Sequence, residues 1–178
     1  PVQQAAAPTA EEAADGIKPT REGGLRSPGD ISAEKRDLKT ALAAGGRVPV
    51  AAPGLSGSIN LHGGVIDDLT LNRHRETLDK DSGPVRIFSP AGTPAEHFAR
   101  FGWVGSGTVT PAIDSNVVWT APAGAKLTPE TPVTLTWSNQ TGQTFSLKYS
   151  IDKDYLITVQ QTVTNRGNAP VVVQPFGV

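Results

Sequence analysis

The sequence predicts an all-β fold, an antiparallel β-sandwich, on three observations. From Arg47 onward apolar side chains recur at every second position, and the runs between Val133 and Val173 are separated by short turn-forming segments. The third is the 19 glycines and 15 prolines spread through 178 residues. A period of two suits a strand with one buried face, since successive side chains point to opposite faces. Prolines in that number interrupt helices and suit short strands joined by many turns. A single domain is expected, because domains run to about 100–200 residues.

Residues 1–46 read as a flexible linker with a short helix. From Pro1 to about Asp30 the large aliphatics Val2, Ile17 and Leu25 stand isolated among Ala, Pro, Glu, Gly and Thr, too few to offset the entropy of ordering that length. The helix is expected at Ser32 to Ala44. Ser32 caps it, Glu34 lies in its first turn, Leu38 and Leu42 are one turn apart, and Gly45-Gly46 ends it.

Residues 47–178 are expected to form the sandwich. Ile59 and Leu61 alternate with Ser58, Asn60 and His62, and the same parity resumes after Gly63-Gly64 at Val65, Leu69 and Leu71, as a strand pair or a bulged strand. Shorter strands are expected at Val85 to Phe88, Phe101 to Val104, Thr108 to Thr110 and Val117 to Trp119, punctuated by Pro84, Pro90, Pro94, Pro111 and Pro122. The clearest pattern lies beyond them. Val133, Leu135 and Trp137 precede the turn Ser138 to Gly142; Phe145, Leu147, Tyr149 and Ile151 precede Asp152-Lys153-Asp154; Tyr155, Ile157, Val159 and Val163 keep the parity. With Val171 to Val173 after the turn Asn165 to Asn168, this predicts a four-stranded antiparallel meander.

A net charge of -1 sets aside nucleic acid and anionic membrane surfaces as partners. The absence of cysteine excludes disulfides, thiolate zinc sites and thiol catalysis. No stretch approaches the roughly 20 consecutive apolar residues of a membrane-spanning helix, so this piece is expected to be soluble. The first residue is not methionine, and the sequence reads as a piece of a longer product.

No catalytic, cofactor or metal site is expected. The acid–base candidates are His62, His74 and His97 with Glu76 and Glu96; all read as solvated loop or strand-end residues, and no spacing among the histidines resembles a closed ligand set. Asp67-Asp68 reads as a turn or surface pair, because neighbours in a strand point to opposite faces and the spacing of a calcium loop is missing. Ser56, Ser58, Ser89 and Ser106 lack the context of a nucleophile elbow; Gly54-Leu55-Ser56-Gly57-Ser58 comes closest, with Ser58 where the second glycine belongs. Gly102 to Gly107 leads into no phosphate-cradling helix and reads as a loop or bulge. Trp137 has core parity, whereas Trp103 and Trp119 stay open between core packing and stacking on a ligand.

Several phrases in order resemble the periplasmic domain of the YidC family of bacterial membrane-protein insertases. They are Gly57-Ser58-Ile59-Asn60-Leu61, Gly63-Gly64-Val65-Ile66-Asp67-Asp68-Leu69, Arg73 to Thr77, Ser89 to Pro94 with Phe101-Gly102-Trp103, Thr136 to Asn139, and Thr162 to Arg166 with Ala169-Pro170-Val171. The resemblance covers Val48 to Val178. It implies a β-supersandwich of mutarotase-like shape in the periplasm, tethered to the inner membrane of a Gram-negative bacterium, which assists insertion without catalysis. The implied partners are nascent membrane proteins and components of the Sec translocon; no cofactor is implied, and the partner-binding surface is not identified. It also implies further strands after Val178, so residues 47–178 are expected to be the N-terminal part of the domain. The competing readings are a carbohydrate- or peptide-binding module and an epimerase-like enzyme, the latter requiring a histidine and a carboxylate to converge in one cleft.

Overall fold

The computed structural model describes residues 18–19, 25–26, 38–44, 46–105 and 117–178. Two antiparallel sheets pack face to face, preceded by the two-residue pair β1 (Lys18–Pro19) and β2 (Leu25–Arg26). The sandwich-type all-β fold read from the sequence is therefore the one found. Residues 38–43 are helical, with Leu38 and Leu42 half-buried. Ser32 and Glu34, expected to start that helix, lie outside the described residues, as do most of the expected linker and the strand expected at Thr108 to Thr110.

The first sheet holds β3 (Arg47–Ala51), β4 (Leu55–Asn60), β5 (Val65–Arg75), β6 (Pro84–Phe88), β7 (Ala99–Gly105) and β11 (Val173–Gly177). Its order is β11-β7-β5-β4-β3, and β6 pairs with the C-terminal half of β5 while β7 pairs with Val65 and Ile66. The second sheet is β10-β9-β8, formed by β8 (Val133–Ser138), β9 (Gln143–Ile151) and β10 (Ile157–Asn165).

The expected four-stranded meander has three strands in this sheet. The fourth segment crosses to the first sheet, where β11 pairs with β7 from Val173↔Gly105 to Gly177↔Phe101. Seven residues separate β10 from β11, and at about 3.3 Å each they easily cross the ~10 Å between packed sheets. Local parity carries no information on which sheet receives such a strand.

The core lies between the sheets. Leu55, Ile59, Ile66 and Leu69 face Leu135, Phe145, Leu147 and Tyr149, all buried. Each large apolar side chain so placed contributes about 1.5–3 kcal/mol. Residues 117–128 strap the two layers together. Trp119 N donates to Leu61 O, Thr120 exchanges two hydrogen bonds with Thr136 on β8, and Leu127 exchanges two with the β3 backbone at Pro49 and Ala51.

Tyr149 is the polar tie through the core. Its hydroxyl donates to Gly64 O at 3.2 Å, and burial pushes its ionisation above the ordinary tyrosine range. Gly64 has φ +60°, and a Cβ there would sit 2.9 Å from Trp119 Nε1, so the turn between β4 and β5 needs glycine twice over. Tyr149→Phe removes the donor and strands a carbonyl in a dry site, and is expected to cost about 1–2 kcal/mol in urea unfolding. An unchanged midpoint would show that this bond does not stabilise the fold.

Candidate functional site

Two features rise above ordinary packing: a buried ionic network on β3–β6 and an apolar cleft between the layers. The network starts from a bulge. Ser58 pairs with Asp68 but Ile59 pairs with Ile66, leaving Asp67 as an extra residue in β5. Ile66 and Leu69 both enter the core while Asp67 and Asp68 join one hydrogen-bonded network through Arg47 and Ser58, as a bulge permits by re-aiming a side chain. The expectation of opposite faces and a surface or turn role is thereby corrected: Asp67 is 4% and Asp68 8% exposed.

Arg47 ties the pair together. Its NH2 donates to Asp67 Oδ1 and its Nε to Ser58 Oγ at 2.7 Å; Ser58 Oγ in turn donates to Asp68 Oδ2 at 2.6 Å. Arg86 NH1 donates to Asp68 Oδ1 at 2.6 Å, and Asn60 Nδ2 reaches Asp67 Oδ2 at 3.4 Å. Burial pushes the Asp67 carboxyl above its ordinary value, and the Arg47 charge only partly offsets that push. With both carboxylates engaged by arginines, the network reads as a structural clamp on the bulge. Arg47 and Arg86 carry no motif in the sequence; only the buried Asp67-Asp68 pair signals that cations must be near.

The acid–base candidates are dispersed over three places. His62 is exposed beside the bridge to Val118, and His74 is exposed on the tail of β5 with its ring 6.1 Å from Tyr155. His97 is exposed between β6 and β7, with backbone bonds to Ser89 and its ring 5.3 Å from Phe88. Glu76 is exposed in the β5–β6 connection, where its backbone N donates to Gly83 O, and Glu96 accepts from Gly92 N at 3.2 Å. Among the described residues no three His, Asp or Glu side chains converge on a metal-sized site. Ser56 and Ser58 lie in β4 and Ser89 is buried after β6, while Ser106 and Gly107 lie outside the described residues. Gly102 to Gly105 belong to strand β7.

The tryptophans differ from their sequence parity. Trp103 and Trp119 are buried, whereas Trp137 is half-buried at the margin of the core, its ring 5.7 Å from Phe145. Trp103 also packs on Phe145 at 5.1 Å, so these aromatics form one cluster. Ligand stacking is thus closed to Trp103 and Trp119 in this conformation.

The cleft, about 220 Å³, opens where the inner face of β4–β7 meets the start of β10. Ile87, Phe88, Phe101, Tyr155 and Ile157 line its rim, with Leu55 and Leu69 deeper. Tyr155 is its one ionisable lining residue. This lining is apolar and has no carboxylate–histidine pair for proton transfer.

The family model of the YidC periplasmic domain matches residues 47–178. The chain belongs to the YidC periplasmic domain family. Membrane protein insertase YidC of Zymomonas mobilis subsp. mobilis is 42% identical over 164 residues, which are 89% of this chain and 28% of that protein. The protein of the same name from Ruegeria sp. is 50% identical over 125 residues, 69% of this chain and 21% of the relative. That from Rhizobium johnstonii is 40% identical over 165 residues, 93% and 27% respectively. The chain thus spans about a quarter of the length of the curated relatives it matches. Among the described residues of this YidC-family domain no helix is long and apolar enough to cross a membrane.

Proposed function

We propose that this domain is a non-catalytic periplasmic accessory to a membrane-protein insertase of the inner membrane, assisting insertion and folding of nascent membrane proteins and touching components of the Sec translocon. The family match over residues 47–178 carries the reading, and the relatives' own name, membrane protein insertase, supplies the activity. The cleft favours the non-catalytic part, because its lining is hydrocarbon apart from one phenol.

The test is made in the full-length insertase. Photo-crosslinkers at exposed positions such as Leu156 and Val172 are expected to capture Sec subunits or nascent membrane proteins, and deleting the domain is expected to slow insertion of a reporter without abolishing it. No adducts, together with unchanged insertion, would overturn the proposal. A carbohydrate-binding role predicts several convergent polar groups, which the cleft lining does not supply. Glycan titration calorimetry is expected to give no heat of binding, and robust binding would favour that rival.

The same reading takes residues 47–178 as the N-terminal part of a larger sandwich. A longer polypeptide that continues past Val178 is expected to melt at a higher temperature than residues 1–178. Equal melting temperatures would count against it.

A further inference from the structure

The buried ionic network runs across the strands, not along one of them. Arg47 stands on β3, Ser58 on β4, Asp67 and Asp68 on β5 and Arg86 on β6, and these four strands are neighbours in that order. Arg47 donates to Ser58 Oγ and reaches over β4 to Asp67; Ser58 donates to Asp68, which also accepts from Arg86. Arg86 NH1 also donates to Phe88 O at 3.2 Å, which fixes the last link to its own strand. Two arginines and two aspartates thus face one another, with the neutral Ser58 and Asn60 of β4 between them.

Arg47 is the first residue of β3, where the chain enters the sandwich from residues 1–46. A strand in that place ordinarily frays first. β3 has further reasons to do so: it is five residues long, stands at the end of its sheet's order, and has at its centre Pro49, which has no N–H to donate. A pull on the preceding chain loads the Arg47↔Asn60 pair first and would open β3 from β4 one pair at a time. At that pair Gly46 O accepts from Leu61 N at 3.0 Å, and the Arg47 guanidinium carries the hold past β4 to the middle of the sheet. The far end of β3 is tied by its two bonds with Leu127.

We propose that the Arg47–Asp67–Ser58–Asp68–Arg86 network is a latch that sets the order of opening, tying the entry strand β3 to β4, β5 and β6 so that β3 opens only when the whole sandwich does. A pull on the preceding chain is then passed to the centre of the first sheet instead of peeling its edge. The Arg47 side chain is 10% exposed, so it leaves only by opening a buried site. Its Nε and NH2 bind different strands in one rigid fork, a geometry that a lysine ammonium does not fix. An apolar pair of similar volume would stabilise the sheet as well or better. The order of opening, not stability, is therefore what the charges add.

Native-state hydrogen exchange of the full-length insertase, read strand by strand by mass spectrometry at urea concentrations below unfolding, tests the latch. A strand that opens alone exposes little surface and exchanges with little dependence on urea, whereas global opening depends on urea steeply. β3 is expected to match the rate and urea dependence of the central strand β9. Faster exchange of β3 that is indifferent to urea would overturn the proposal. The double variant Arg47→Met with Asp67→Leu removes the link without leaving a buried charge unpaired. In it β3 is expected to exchange about tenfold or more faster than β9, with little dependence on urea. If β3 still opens together with β9 in that variant, packing alone holds the strand and the latch is refuted.

Discussion

Replacing Arg47 with methionine is expected to cost about 3–5 kcal/mol at neutral pH, the range for removing one partner of a buried ion pair. Asp67 is 4% exposed and would keep only the 3.4 Å contact from Asn60, while Ser58 would lose the donor to its hydroxyl. A loss of that size is a large share of the about 5–15 kcal/mol that holds most domains folded. The deficit is expected to shrink as pH falls. The folded Asp67 carboxyl already titrates above its ordinary value of 3.8, mainly because it is buried. The native state therefore holds that proton more tightly than the unfolded chain, and this carboxyl's contribution to stability falls as pH rises from below 3.8 through the raised folded value. Without Arg47 the shift grows, so the penalty is concentrated above the folded value and relieved when Asp67 is protonated. Urea titrations of both proteins at neutral pH and near pH 4 measure it, and an equal loss at both would contradict this account of Asp67. The double variant Arg47→Met with Asp67→Leu is expected to recover most of the loss, because no charge remains buried without a partner.

Gly57→Ala is expected to be as severe, at about 3 kcal/mol or more, by forcing apart two paired strands. A Cβ on Gly57 would overlap the Asp68 carbonyl oxygen and lie 3.0 Å from the Leu69 Cα. Both atoms are backbone, so no side-chain rotation relieves the overlap. The only relief is separation of β4 from β5 beside the bulge, which would also pull Ser58 away from Asp68. Gly83→Ala serves as the control. Its Cβ would meet nothing within 4 Å, and a change within about 0.5 kcal/mol is expected. Thermal and urea melts of the two variants make the comparison, and similar losses at both positions would refute the steric argument.

Much of the second sheet was readable one residue at a time. Leu135, Phe145, Leu147 and Tyr149 follow a strict alternation and all four are fully buried. The alternation works there because the hydrogen-bonded register from Val133↔Tyr149 to Trp137↔Phe145 is unbroken. It is incomplete in β5, where Val65 is buried as parity assigns but Ile66 is buried too and joins Leu69 in the core cluster, since a bulge shifts the register without any residue type that announces it. It fails for Trp137, whose inward parity places it at the margin of the core while Trp103 and Trp119 occupy the centre. Depth depends on what the opposite layer covers, which a strand's own pattern does not encode.

From its residues alone this chain could be assigned to paired, half-buried strands joined by glycine and proline turns, because facing and turning are local properties set by each residue and its immediate neighbours. Its ordered phrases also pointed to the family. What only the assembled molecule decided is which layer receives β11, that Asp67 meets Arg47 while Asp68 meets Arg86 in one buried network, and that an apolar cleft opens beside Ile157. Each of these joins segments separated in sequence, and their meeting is settled by how two sheets of unequal width stack, a property of the whole packing and of no single stretch.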